Sequence, residues 1–283
     1  MSSVDEALGF QAVNRSSIAS LAFLVWDIFI TLDEEVHLIW PNRWTYMKFL
    51  YFFVRYFALC VQIALLFTGS DISRHFHFSI SDCNIWGNFQ AASAMVISLG
   101  VDWILVLRVD ALYCANRGVR FLLASLLLFE TICMGLGLGL MAGGTIYDQN
   151  CTVLDVPKAL IIYGVSTLIV QLILFILSAV RFIAHARSDS SRIPLLSLVV
   201  RDGAWAFFLV AAVEVGHGAL FEVKNRAFSG VLYCWALTIF SFSGYRILLN
   251  LQTLAPEKSR ASTQMTTDIE LQFASQAQVT HLS

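Results

Sequence analysis

Charged side chains are scarce in this 283-residue chain. Asp, Glu, Lys and Arg together make up 13% of it, about half of the roughly 25% usual in soluble domains. The same chain is 58% hydrophobic with a mean hydropathy of +0.71. That combination excludes a soluble enzyme and a disordered regulator, and a net charge of −2 lacks the basic excess of a nucleic-acid binder. Proline is rare too. Pro41, Pro157, Pro194 and Pro256 all fall between or after the apolar stretches, where a missing N–H costs nothing. No span is therefore expected to be proline-kinked.

Other absences narrow the chemistry. Lys48, Lys158, Lys224 and Lys258 all lie in loops or the tail, so no lysine can carry a retinal Schiff base at mid-membrane. His217 alone among the histidines falls in an apolar stretch, too few for the three-ligand zinc site of an intramembrane hydrolase. No Gly-x-Ser-x nucleophile has a partner histidine on an adjoining span, and no proline is followed by Gln as in seven-span sugar carriers. We therefore expect no catalytic residue, no metal, no cofactor and no nucleic-acid partner. The expected surroundings are membrane lipids.

What is present is a series of apolar runs. Seven come close to the 20 or so residues a helix needs to cross a bilayer: Ser16–Leu32, Phe49–Thr68, Trp86–Leu107, Phe121–Met141, Ala159–Val180, Ala204–Phe221 and Phe228–Leu249. The expected fold is an all-α integral membrane protein, a seven-transmembrane-helix bundle. Residues 1–15 form a short outer N-terminus, 16–250 the membrane domain and 251–283 a polar, disordered cytosolic tail. With the N-terminus outside, twelve of the 18 Lys and Arg fall on the inner side and five on the outer, with Arg55 buried. This bias places the C-terminus in the cytosol. The first inner loop is the exception, because Asp33, Glu34 and Glu35 outnumber its two cations.

The sequons Asn14-Arg15-Ser16 and Asn150-Cys151-Thr152 both lie on the predicted outer side, and Asn150 is the candidate glycosylation site. Of the six cysteines, only Cys83 and Cys151 face the oxidising compartment. A Cys83–Cys151 disulfide would tie the loop between spans four and five across the mouth of the bundle. A plasma membrane or another secretory-pathway membrane suits these features.

Charges at bilayer depth are candidate functional groups. Asp27 and Asp102 lie about 8 Å from the inner ends of their spans and Arg55 about 9 Å, by helix rise. We expect Arg55 to pair with Asp27 or Asp102, as a structural clamp or as a switch. Arg108 marks the inner end of span three. Glu130 and Glu214 sit near mid-membrane, and His217 shares a helix face with Glu214. That pair suits a proton relay, a cationic ligand or a neutral hydrogen bond to another helix. Gly135, Gly139 and Gly143 recur every fourth residue, a spacing that lets another helix approach closely.

The run Trp26-Asp27, Thr31-Leu32-Asp33, Glu35-Val36, Ile39-Trp40, Trp44, Lys48 and Arg55-Tyr56 resembles the N-terminal domain of unknown function in a family of basidiomycete multi-span membrane proteins. Leu107-Arg108-Val109 with Ala111-Leu112-Tyr113, Arg201-Asp202-Gly203 and Arg246-Ile247-Leu248-Leu249-Asn250 look like later parts of it. Asp110 departs from that pattern, where a tyrosine is expected. The resemblance implies a fungal seven-span protein and supplies no catalytic residues.

Three functions remain. The first is a receptor-like sensor, whose basic second and third inner loops would meet an acidic cytosolic signalling partner. The second is a carrier or channel lined by the intramembrane acids. The third is a non-catalytic scaffold or lipid-binding protein. The lack of proline in the spans and of an Asn-Pro-x-x-Tyr run excludes a standard rhodopsin-type receptor.

Overall fold

The computed structural model describes residues 3–41, 43–68, 80–114, 116–144, 146–147, 153–155, 159–188, 193–222 and 230–250. Asn150, Cys151 and the tail from residue 251 lie outside the described residues. In chain order the helices are α1 (Ser3–Ile30), α2 (Leu32–Leu38), α3 (Tyr46–Thr68), α4 (Ile80–Leu112), α5 (Arg117–Gly144), α6 (Ala159–Ser188) and α7 (Ile193–Glu222). A further helix, α8, runs over residues 233–250. Two short antiparallel strands, β1 (Ile146–Tyr147) and β2 (Val153–Asp155), lie between α5 and α6.

Among the described residues each apolar run of the sequence is helical over most of its length, and α2 is additional. Among those residues five helices are long and apolar enough to cross a membrane, with spans Gln11–Ile30, Tyr46–Phe67, Ser81–Leu112, Arg117–Met141 and Ile161–Arg181. The apolar stretch Ala204–Leu220 of α7 is shorter. The outward faces fit a lipid solvent. Leu128, Ile132, Leu136 and Leu140 form an exposed stripe on α5, and Ile162, Val165, Ile169, Leu172 and Ile176 form one on α6. Apolar faces of that extent are rare on soluble proteins, whereas lipid tails solvate them. This is an integral membrane protein.

Local chemistry sets the helix ends. Asn116 caps α5, its Oδ1 accepting from the Gly118 N–H at 2.9 Å. Just before it, Cys114 takes a left-handed φ of 52° and turns the chain out of α4. Pro194 sits in the first turn of α7, where its missing N–H is unneeded.

The last helix is the most enclosed. α1 presents Ser20, Leu24 and Asp27, all buried, at spacings of four and three residues, and Thr31, just beyond its end, is buried as well. α8 answers with Cys234, Thr238, Ser241 and Tyr245, also buried. Trp235 donates from Nε1 to Ser16 Oγ at 3.1 Å, and Thr238 donates to the Ser20 carbonyl at 3.3 Å. From α3, Gln62 donates to Thr238 Oγ1 at 2.7 Å, and Ser241 donates to the Val54 carbonyl at 2.9 Å. Small and hydroxylated side chains let helices approach and bond where lipid offers no competing partner. The main apolar core lies on α1, α3, α4 and α8, and a second core joins α4, α5 and α6.

Among the described residues, Gly135 and Gly139 of α5 serve no helix contact. A Cβ on Gly135 or Gly139 would meet nothing within 4 Å, because that face of α5 points outward. The close approach falls at Gly244 of α8. A Cβ there would lie 3.0 Å from both Val101 Cγ2 and Val54 Cγ1. Gly244→Val should therefore lower thermal stability, by about 1–3 kcal/mol for an overpacked core. Gly139→Ala should leave it unchanged or raise it by roughly 0.5–1 kcal/mol through helix propensity. Melting both variants in one detergent checks the pair, and a Gly244→Val protein as stable as the parent contradicts the packing.

Candidate functional site

The buried charges form two groups of opposite character. The first is built on α1, α2, α3 and α8. One face of α3 carries Tyr51, Arg55 and Gln62, four and then seven residues apart. Arg55 is fully buried. Its ion-pair partner is Glu35 of α2, with Nε 3.1 Å from Oε2, not Asp27 or Asp102. Arg55 also donates from Nη1 to the Tyr51 hydroxyl at 2.7 Å and from Nη2 to the Ile28 carbonyl at 2.9 Å. That carbonyl belongs to the last turn of α1, where helical partners run out. The guanidinium lies over three aromatic rings, those of Tyr245, Tyr51 and Tyr56, at 4.8, 5.6 and 5.9 Å from their centroids.

Glu35 is buried as completely as Arg55. Its carboxylate accepts from Trp40 Nε1 at 3.1 Å, the Tyr56 hydroxyl at 3.1 Å and the Tyr51 hydroxyl at 3.3 Å. Three hydrogen-bond donors and the ion pair to Arg55 fix α2 in place. Lys48 donates to the Trp40 carbonyl at 2.9 Å and holds the turn that follows. Asp27 is taken by α8: Tyr245 donates its hydroxyl to it, and Arg246 forms an ion pair with it. Two acids and two bases therefore neutralise one another.

Asp102 belongs to the second group because α4 turns it away from α3. Val101 and Ile104 face Val54 and Gly244, so the next position in the helix, about 100° round, looks towards α5 and α6. There Asp102 accepts from Ser98 Oγ at 3.3 Å and faces Glu130 of α5 and Gln171 of α6. Glu130, fully buried, faces Asp102 and Thr167. Glu214 of α7 packs against Gly164, whose Cβ position is 3.7 Å from Glu214 Oε2. Gly164, Thr167 and Gln171 lie on successive turns of α6, which brings carboxylates of three other helices to one side of it. No cation neutralises Asp102 or Glu130 among the described residues. Buried polar atoms without a well-directed hydrogen bond occur in both groups: Arg55 Nε and Arg246 Nε in the first, and Asp102 Oδ1, both Glu130 oxygens and Gln171 Nε2 in the second, where Gln171 faces Asp102.

A narrow cleft opens beside this group, bounded by α4, α6, α7 and α8. Arg108, Gln171 and Ser243 stand on its walls, and all three are buried. His217, one turn beyond Glu214, is half-buried. Of the seven candidate residues, the structure brings Asp102, Glu130 and Glu214 together, with Arg108 along the adjoining cleft. It holds Asp27 and Arg55 in the separate neutral group. Asp110 forms an exposed ion pair with Arg120 at 3.3 Å, worth little by itself. Cys83 is buried and is not among the free thiols Cys60, Cys114, Cys133 and Cys234.

Glu35, Tyr51, Tyr245 and Arg246 were missed by sequence reasoning. A signal existed for Glu35: Thr31, Glu35 and Ile39 recur every fourth residue in a stretch where three acids oppose the inside-positive rule.

The groups predict unequal mutants. Arg55→Ala and Glu35→Ala each strand a buried charge and should each lower stability by about 3–5 kcal/mol. Arg55→Lys should recover little, since an ammonium cannot reproduce the planar fork. Asp102→Asn removes an uncompensated carboxylate and should leave stability unchanged or raise it. Denaturation midpoints in one detergent check the order, and Asp102→Asn as damaging as Glu35→Ala contradicts it.

A model described as a family of unknown function (DUF6533) matches residues 16–60. No curated protein and no solved structure matches the chain. The matched segment contains Asp27, Glu35, Trp40, Tyr51, Arg55 and Tyr56, the α1–α3 part of the neutral group.

Proposed function

We propose that the protein is a receptor-like sensor that crosses the membrane seven times, with its N-terminus outside and its C-terminus in the cytosol. The observation that carries this reading is the division of buried charge. One half of the bundle pairs its two buried acids with two bases, as a rigid frame requires. The other keeps three acids near one another, two without a cation among the described residues, beside a cleft. Unneutralised groups of this kind at membrane depth are expensive to keep, and a ligand that completes them would shift the packing of α4 to α7. The bias of Lys and Arg supports the orientation, and α7 and α8 supply the sixth and seventh crossings.

In this reading the end bearing Trp40, Cys114 and Asn250 faces the cytosol. There Arg181 donates from Nε to the Leu112 carbonyl at 3.1 Å, which links α6 to α4. Movement of α6 would reach the basic second and third inner loops and the acidic signalling partner they attract. On the outer side a Cys83–Cys151 bridge closes the loop after α5, and Asn150 carries a glycan. No catalytic step, metal or cofactor is involved. The gathering of acids along α6 also favours a second reading, a carrier that moves protons or cations past them.

Tags at the two termini should be accessible from opposite sides of the membrane, and same-side labelling contradicts the topology. Proximity labelling from the cytosolic terminus should recover a protein set that changes in Glu130→Gln at equal expression, while an identical set overturns the sensor. Proton flux in proteoliposomes that is lost in Glu214→Gln would establish the carrier instead.

A further inference from the structure

Asp102 of α4 and Glu130 of α5 face one another, and both are fully buried. A carboxylate only accepts hydrogen bonds, so two of them set face to face repel and leave oxygens without a donor. Asp102 Oδ1 and both Glu130 oxygens stand in that position, without a well-directed bond. No cation among the described residues neutralises the two. Among those residues no three acidic, histidine or cysteine side chains gather as ligands for a metal ion. The surroundings of the two acids are unequal. Asp102 accepts from the Ser98 hydroxyl at 3.3 Å. Gln171 of α6, itself only 3% exposed, faces Asp102 with an amide nitrogen that has no well-directed bond elsewhere. Donors thus collect on Asp102. Thr167 faces Glu130 but gives its hydroxyl proton to the Tyr163 carbonyl at 3.3 Å, so it offers Glu130 an acceptor. The other titratable neighbours of the pair are Cys133 on α5, Tyr163 on α6 and Glu214 on α7, and none of them brings a positive charge.

We infer that Asp102 and Glu130 form a proton-binding site, in which one proton is held between the two carboxyls and rests on the Glu130 side. Like charges set together in a site without water favour a single ionised member. The proton turns the repulsive contact into a charge-assisted O–H···O− bond from Glu130 to Asp102. It also supplies the donor that the facing oxygens lack. A metal cation is disfavoured there, because Ser98 and Gln171 turn the positive ends of their dipoles towards the carboxylate such an ion would need. Release of the proton sets two like charges against each other across the contact of α4 with α5. The inference names the proton as the group that completes these two acids, and it rests on the sensor reading only for what its release does.

The test is infrared spectroscopy of the full chain in lipid nanodiscs. At neutral pH, subtracting the Glu130→Gln spectrum from that of the parent should leave one protonated-carboxyl band, which moves in deuterium oxide. Asp102→Asn should shift that band, since the acid loses its charged acceptor. Denaturation in one detergent counts the proton. Unfolding releases it above the usual carboxylate range, so the parent's stability should fall as pH rises. Its folding equilibrium constant should drop about tenfold more per pH unit than that of Glu130→Gln. A band that survives Glu130→Gln, a band unmoved by Asp102→Asn, equal pH slopes, or loss of the band on adding sodium at constant pH overturns the inference. The expected band together with an identical proximity-labelled set in parent and Glu130→Gln upholds the proton site and counts against the sensor, so the two readings fail separately.

Discussion

A guanidinium buried at membrane depth must find an anion and an acceptor for its remaining donors. Much of this structure follows from how Arg55 does so. No acid on the neighbouring long helices takes that role. The chain after α1 instead folds into the short helix α2 and returns Glu35 to the interior, 3.1 Å from Arg55. Tyr51, Tyr56 and Trp40 then complete the carboxylate's bonds. The last turn of α1 is held by the same arginine through the Ile28 carbonyl. Buried pairs of this kind are not strong sources of net stability. Their value here is specificity, because this arrangement of α1, α2 and α3 brings Glu35, the Tyr51 hydroxyl and the Ile28 carbonyl to one guanidinium.

With Glu35 engaged, Asp27 is left to α8. Tyr245 and Arg246 supply its partners, which draws the final helix of the described chain against the first. Hydroxyl bonds to Ser16, Ser20 and Gln62 continue that seam towards the other end. One neutral frame therefore joins the beginning and end of the bundle. The second half lacks such pairing. Asp102, Glu130 and Glu214 come from three helices that pack against α6 with mostly apolar contacts, and they adjoin the cleft. Paired charge on one side and acids without a cation among the described residues on the other is the pattern expected when a fold holds a site ready for a ligand.

Much of this architecture was legible in the sequence. The apolar runs gave every long helix, since twenty-residue hydropathy does not depend on tertiary contacts. That Arg55 needed an acid also followed from its depth. Which acid did not follow, because helix rise places Asp27, Arg55 and Asp102 at one level but says nothing of direction. Asp102 sits at the right depth and faces the wrong way, since Val101 and Ile104 occupy the α3 side. Glu35 lay in a loop by hydropathy, and a seven-residue amphipathic helix is too short for that measure to register. The glycines of α5 mark the same limit. Their spacing permits a close approach without naming a partner, whereas isolated Gly244 makes the contact.

The central claim is that Arg55 and Glu35 act as one unit, independent of the acids on α4 to α7. A double-mutant cycle tests it most directly, with Arg55→Ala and Glu35→Ala measured singly and together by reversible denaturation in one detergent. The account predicts a coupling of about 2–3 kcal/mol, near the upper range for paired buried charges, and a cycle of Arg55→Ala with Asp102→Ala that is additive within about 0.5 kcal/mol. Additive behaviour of Arg55 with Glu35, or strong coupling of Arg55 with Asp102, would contradict it.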